Sequence, residues 1–204
     1  GHGYLRAPKS IMSYASLACI AIQANQNEMH GGQSVPNFDY SMAPGVAKTY
    51  VKEYYEALAQ SLEARLDISY AEACDIAENI KKEVPSPTLS NADAFEAELC
   101  KWFTRADDKF GLDGKVLVAA HKNAAETALA NTDKATFQAM EALVHNLNTM
   151  NSRAGAQVPF SSVNYGTDTS PEGRMVMKNL LLATDNGLGN GETPIFPVQI
   201  FKVK

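Results

Sequence analysis

Thr169 and Ser170 are the residues for which a chemical role is simplest to state. They stand directly before a proline and a glutamate, a pattern that predicts the first turn of a helix. At such a position, free backbone N–H groups and the two hydroxyls could bind a phosphate. Gln157, Ser161 and Ser162 lie shortly upstream and could add polar contacts. Helix capping without any ligand also explains Thr169 and Ser170, so both interpretations stay open.

Thiol chemistry is the next possibility, because the chain has three cysteines, Cys19, Cys74 and Cys100. They are far apart and form no C-x-x-C pair, so we predict buried thiols and neither a zinc nor a disulfide-exchange motif. The sequence also lacks a Walker P-loop, a G-x-S-x-G elbow and an H-E-x-x-H pair. The glycine-dense segment at 187–191 follows a predicted helix, which favours a turn over a dinucleotide site.

Composition excludes some classes of partner. The chain has 204 residues, 45% of them hydrophobic, and a formal net charge of −5. A globular protein with an acidic balance is expected, and this argues against a nucleic-acid surface, which needs a basic face. We find no apolar segment long enough for a membrane span and no signal pattern, so we predict a cytoplasmic protein. The chain starts at Gly1 and stops within an apolar, strand-like run, so we expect an internal piece of a longer protein.

Hydrophobic periodicity predicts the elements that position these residues. We predict helices over 11–28, 46–66, 69–83, 90–105 and 132–150, with a loop over 31–42 and Pro44 at a helix start. A strand over 157–165, a helix from 170 that Gly187 closes, and a strand over 195–203 follow. This alternation predicts an α/β unit with a parallel strand pair. We treat the chain as one structural piece with a helical insertion over about 67–130.

Three blocks of sequence resemble one family. They are QANQNEMHGGQSVPNFDY at 23–40, HNLNTMNSRAGAQVPFSS at 145–162, and GTDTSPEGR at 166–174 with GNGETPIFP at 189–197. Together they closely resemble the class III, anaerobic ribonucleoside-triphosphate reductases, which are glycyl-radical enzymes. The likeness is close over 1–60 and 135–204 and weak over the predicted insertion.

The resemblance implies a fold and an activity. The chain would be an internal part of a ten-stranded α/β barrel, in which a thiyl radical, generated from a glycyl radical, replaces the ribose 2′-hydroxyl with hydrogen. The family implies formate as reductant, a structural zinc, nucleoside triphosphate effectors, a homodimer and a radical-SAM iron–sulfur activating enzyme. The radical cysteine and glycine are expected outside this chain, so we assign it no catalytic residue, no metal and no cofactor of its own.

The resemblance also implies binding residues. Gly31 and Gly32 match a ligand-facing loop of the superfamily, although a helix C-cap explains them without it. The segment 152–157 matches the loop between substrate base and effector, in which Arg153 would contact the effector. A tight turn is the alternative there. We therefore predict substrate contacts at seven positions: Gly31, Gly32, Gln157, Ser161, Ser162, Thr169 and Ser170.

The predicted effector site lies on the helix over 46–66, at the dimer interface that the resemblance implies. Lys48 and Lys52 are one turn apart there and could meet the triphosphate of a deoxynucleotide or of ATP, together with Arg153. A solvated charged face is the alternative. Two other functions stay open for the chain as a whole: an inert nucleotide-binding module, and a fragment of another glycyl-radical enzyme.

Overall fold

The computed structural model describes residues 6–29, 31–110, 113–151 and 157–203. Six helices and three short strands lie within these ranges. In chain order they are α1 Ile11–Glu28, β1 Gln33–Val35, α2 Phe38–Arg65, α3 Tyr70–Glu83, α4 Ala92–Phe110, α5 Gly114–Thr149, β2 Ser161–Tyr165, α6 Pro171–Asn186 and β3 Val198–Phe201. None of the helices described is both long and apolar enough to cross a membrane. The chain forms two compact units, one of residues 1–48 and 133–204 and one of residues 49–132.

The first unit contains a parallel sheet in the order β1-β2-β3. Ser161 pairs with Gln33 on one side of β2, and Ser162 pairs with Val198 on the other. Such a sheet needs helical crossovers between its strands, and the predicted α/β class with a parallel strand pair is confirmed. The helix-rich composition agrees with a part of a larger α/β fold.

The two faces of the sheet differ, because successive strand side chains point to opposite sides. On one face the Tyr165 hydroxyl donates to Gln199 Oε1 at 2.7 Å, and Gln199 Nε2 donates to Thr184 Oγ1 of α6 at 2.6 Å. The other face has less cover, since the side chains of Val198 and Ile200 are 44% and 45% exposed. We call it the open face; its residues are Ser34, Ser162, Asn164, Val198 and Ile200.

Two helices of the first unit begin at serine residues that cap them. Ser10 caps α1 by accepting a hydrogen bond from Ser13 N at 3.3 Å, and Ser170 caps α6 ahead of Pro171, whose fixed φ suits the first helical position. The buried apolar stripe of α1 packs into this unit's core, which also takes apolar residues from α5 and α6. These residues are Ile11, Ala15, Ile22, Leu143, Val144, Leu147, Val176 and Leu180.

The second unit is a helical assembly around one apolar core. A capping box opens α3: Ser69 Oγ accepts from Glu72 N at 3.4 Å, while Glu72 Oε2 accepts from Ser69 N at 2.9 Å. Tyr54 is fully buried at the centre, where it forms a 2.8 Å hydrogen bond with His121 Nδ1. The predicted insertion over 67–130 falls inside this unit, and its status as an insertion stays a prediction.

Several element boundaries differ from the predictions. The segment 31–42 contains β1 and the first residues of α2, because a turn at Pro36 and Asn37, with φ of 52° at Asn37, separates two short regular segments. Pro44 lies inside α2 and not at its start. Gly114 opens α5, which continues through Thr132 without a break. The strands β2 and β3 are shorter than predicted.

The cysteines also depart from the expectation of three buried thiols. Cys19 is buried, Cys74 is half-buried and Cys100 is exposed. On α3, Cys74 packs at the margin of the second unit's core, whereas on α4 Cys100 is exposed next to the buried Leu99. Burial of a cysteine therefore followed its position on the helix and not its residue type.

Candidate functional site

The predicted substrate residues fall at two ends of the small sheet. At the amino ends of the strands, Gln33 N donates to Phe160 O at 2.8 Å and joins the segments before β1 and β2. Gly31 has φ of 98°, a conformation that favours glycine. A Cβ on Gly32 would lie 3.1 Å from Phe160 Cδ1, so the glycine allows the aromatic ring to approach the backbone. Gly31 and Gly32 thus lie beside the segment that leads into β2.

Three further predicted residues lie in or near β2. Gln157 is exposed. Ser161 is 1% exposed, and its hydroxyl has no hydrogen-bond partner among the described residues. Ser162 is half-buried on the open face, and Asn164 lies two residues further along the same face. The Asn164 Oδ1 atom is also buried without a partner in the described part of the chain, and the prediction did not include this residue.

The turn after β2 holds the other two predicted residues, at the carboxyl ends of the strands. Asp168 Oδ1 accepts from Ser170 N at 2.9 Å, and Ser170 Oγ accepts from Gly173 N at 3.0 Å. Thr169 is exposed. Ser170 therefore uses its amide and one lone pair for the cap, while its hydroxyl proton can still be donated to a ligand. The positive end of the α6 dipole lies at the same place.

Asp39, which was not predicted as a site residue, organises this turn. It lies in the first turn of α2 with 0% of its surface exposed. Its Oδ2 atom accepts from three consecutive amides, those of Gly166, Thr167 and Asp168, at 2.9, 3.0 and 2.9 Å. Its Oδ1 atom accepts from Tyr40 N at 3.1 Å. Burial by itself would raise the pKa of Asp39, but the backbone hydrogen bonds outweigh it and lower the pKa below its ordinary value.

Asn148, near the end of α5, fixes the segment that leads into β3. Its Oδ1 atom accepts from Ile195 N at 2.9 Å and from Phe196 N at 3.0 Å. Its amide nitrogen donates to the carbonyls of Val144 and Phe196. Both Asn148 and Asp39 lie in the blocks that carry the family resemblance, which is the one sequence signal that could have identified them.

The predicted effector residues are placed differently. Lys48, in the first unit, donates to Pro8 O at 2.9 Å and to the Tyr14 hydroxyl at 3.0 Å, and its Nζ lies 5.1 Å from the centre of the Tyr14 ring. Lys52 belongs to the second unit and is exposed. Arg153 lies outside the described residues, as does all of the predicted loop except Gln157.

The residues that the structure describes do not support a role in thiol chemistry or in metal binding. Burial raises the pKa of Cys19 to about 11, although a hydrogen bond with the Asn146 side chain lowers it in part, so this thiol is protonated at neutral pH. No group of three or more His, Cys, Asp or Glu side chains in the described ranges could hold a metal ion. These residues therefore do not fit the structural zinc that the resemblance implies.

Comparisons with known proteins identify similar sequences. A family model described as anaerobic ribonucleoside-triphosphate reductase matches residues 1–204. The anaerobic ribonucleoside-triphosphate reductase of Haemophilus influenzae is 35% identical over 78 residues, which are 38% of this chain and 11% of that protein. The proteins of the same name from Enterobacteria phage T4 and Salmonella typhimurium are 37% and 32% identical over 78 residues, 38% of this chain in each case. Those stretches are 13% and 11% of the two relatives, so the similarity spans only a small share of their length.

Proposed function

Because the chain belongs to the anaerobic ribonucleoside-triphosphate reductase family, we propose that it acts in the reduction of ribonucleoside triphosphates to deoxyribonucleotides by glycyl and thiyl radical chemistry. Its own contribution is nucleotide binding, and no residue of this chain is assigned a catalytic role. The three strands are neighbours in the ten-stranded α/β barrel of a homodimeric enzyme that uses formate as reductant. A radical-SAM iron–sulfur enzyme is its activating partner.

The observation that carries this proposal is the turn between β2 and α6. In parallel α/β sheets, ligands bind beyond the carboxyl ends of the strands, where helix N-termini present positive partial charge. Thr169 is exposed in this turn, and the Ser170 hydroxyl can donate to an anion while it caps α6. The proposed substrate triphosphate lies here.

The rest of the substrate extends over the open face toward the amino ends of the strands. β2 has five residues, which correspond to about 17 Å at the usual rise of a strand. Ser162 and Asn164 lie along this path, and Gly31 and Gly32 lie at its far end. The base would contact this amino end and Gln157, while Ser161 supports the strand from the covered face. In this proposal six of the seven predicted substrate residues lie along one nucleotide, and the seventh, Ser161, is buried on the opposite face of β2 and would not contact it.

Lys48, Lys52 and Arg153 stay our proposal for the cations that could each contact an effector triphosphate. Lys48 already donates to the Pro8 carbonyl and the Tyr14 hydroxyl, which leaves only one of its three N–H groups for a triphosphate. Loss of Lys52 or Arg153 should therefore weaken binding of dATP, dGTP or dTTP more than loss of Lys48 does. Calorimetric titration of the three alanine variants tests this order, and equal effects would contradict it.

The substrate proposal is tested by titrating CTP and cytidine, which differ only in the triphosphate. We expect CTP to bind more tightly, and Ser170→Ala to weaken CTP binding roughly tenfold without changing cytidine binding. The matched control is Ser69→Ala, which removes a helix cap of the same kind from α3 and should leave both affinities unchanged. Equal affinities of CTP and cytidine for the unmodified protein would refute the phosphate site.

A further inference from the structure

The buried carboxylate of Asp39 is the feature that the proposed nucleotide site leaves unexplained. It is fully buried, and it accepts hydrogen bonds from the backbone of a turn that lies 127 to 129 residues later in the chain. A carboxylate loses much solvation energy when it is buried, and such burial persists only where several donors compensate for it. Here three amides and the Tyr40 amide supply that compensation.

Successive backbone N–H groups that point to one spot form an anion-binding concavity. In this turn the concavity of Gly166, Thr167 and Asp168 is filled by the protein's own carboxylate. A nucleotide phosphate therefore cannot use these three amides. The groups further along the turn that could still donate to a phosphate are the hydroxyls of Thr169 and Ser170.

The backbone of the turn packs closely against its neighbours. Gly166 has φ of 108°, and a Cβ there would lie 2.6 Å from Lys202 O. A Cβ on Gly173, in the first turn of α6, would lie 2.5 Å from the carboxyl carbon of Asp168. Close packing on both sides means that a shift of the turn would also move the Ser170 cap, which depends on Asp168.

We propose that Asp39 is a positioning residue for nucleotide binding: by filling the amide concavity of the turn after β2, it holds Thr169 and Ser170 where they meet the substrate triphosphate. The inference rests on the proposed function of that turn. It adds a structural link between the start of α2 and the phosphate-binding residues, and it assigns a specific role to a residue that touches no substrate.

The test compares Asp39→Asn with the unmodified protein in two measurements. In hydrogen–deuterium exchange, the amides of Gly166, Thr167 and Asp168 should exchange faster in the variant, because an uncharged acceptor holds them less strongly. In calorimetry, CTP affinity should fall roughly tenfold while cytidine affinity stays the same. A residue that only stabilised the fold would affect both ligands alike.

Asp133→Asn is the matched control, since Asp133 also ties two elements of the first unit together, through Lys178 and Asn179 in the middle of α6. It should leave the CTP preference and the exchange of the turn unchanged. If Asp39→Asn does not fold, Asp39→Glu keeps the charge, moves it by one methylene and should show the same loss of CTP preference.

The outcomes separate the two proposals. If the unmodified protein prefers CTP over cytidine and the Asp39 variant keeps that preference, the positioning role is wrong and the phosphate site stands. If the unmodified protein shows no preference, both proposals fail. If cytidine and CTP affinities fall together in the variant, Asp39 is structural only and the positioning role is again refuted.

Discussion

The adjacent tyrosines Tyr54 and Tyr55 allow one substitution to be compared in two different environments. Both side chains are buried in the second unit. The Tyr54 hydroxyl lies 2.8 Å from His121 Nδ1, whereas the Tyr55 hydroxyl is buried without a partner among the described residues. Removal of the hydroxyl by Tyr→Phe should therefore lower the free energy of unfolding at Tyr54 but not at Tyr55.

The expected magnitudes follow from these contacts. Tyr54→Phe removes a hydrogen bond and leaves His121 Nδ1 unpaired, which costs about 1–3 kcal/mol. Tyr55→Phe removes a hydroxyl that is buried without a hydrogen bond in the folded protein. The free energy of unfolding should therefore rise by up to about 1 kcal/mol or stay unchanged. The Tyr55 ring remains in the variant, and with it the contact to the Lys81 ammonium 5.7 Å from the ring centre.

Urea denaturation followed by far-ultraviolet circular dichroism measures both changes in the same protein. The midpoint should fall for Tyr54→Phe and hold or rise for Tyr55→Phe, with similar slopes for the two variants. Equal destabilisation by both substitutions, or a larger loss from Tyr55→Phe, would refute the assignment of the stabilising hydrogen bond to the Tyr54–His121 pair.

Three other measurements follow from the described contacts. Burial lowers the pKa of His121 below its ordinary value of 6.5; Glu96 opposes this shift without reversing it, and Lys122 lowers the pKa further. The folded protein then binds fewer protons than the unfolded chain, so the free energy of unfolding should fall as pH drops below about 6.5. Urea denaturation at several pH values measures this, and a rise in the free energy of unfolding over that range would contradict it. Gly166→Ala should destabilise the first unit by about 1–3 kcal/mol, and by more than Gly189→Ala, which has a similar φ of 106° but no atom within 4 Å of the added Cβ. A thiol reagent should modify exposed Cys100 first and buried Cys19 last in the native protein, as mass spectrometry of the digested protein can show; early labelling of Cys19 would contradict its burial.

The sequence was most informative where a pattern is local. The helix start at Ser69 and the start of α6 at Ser170 and Pro171 depend on residues at most three positions apart, and the helices predicted there are present. Continuous periodic segments such as α1 were also placed well. Boundaries failed where two elements adjoin closely, as at the turn between β1 and α2, because three residues of strand give too short a pattern to detect.

Long-range contacts account for the parts of the candidate site that the sequence did not reveal. Nothing near Asp39 indicates that its partners are the amides of a turn more than a hundred residues later. Asn148 likewise follows the pattern of an ordinary polar residue near the end of a helix, although it contacts the segment before β3. Tertiary structure decides such contacts, and from one sequence only resemblance to a family could suggest that these positions have a role.

The structure also changes how the two interpretations of Ser170 relate to each other. Capping of α6 and binding of a phosphate were considered as alternatives for the sequence. A hydroxyl, however, has two acceptor lone pairs and one donor. Gly173 N occupies an acceptor position at 3.0 Å, and this leaves the proton for a ligand oxygen. The cap fixes the position of the hydroxyl oxygen, so it reduces the entropy that phosphate binding would cost. Capping therefore favours phosphate binding at this position, and a variant that loses the cap should lose phosphate affinity with it.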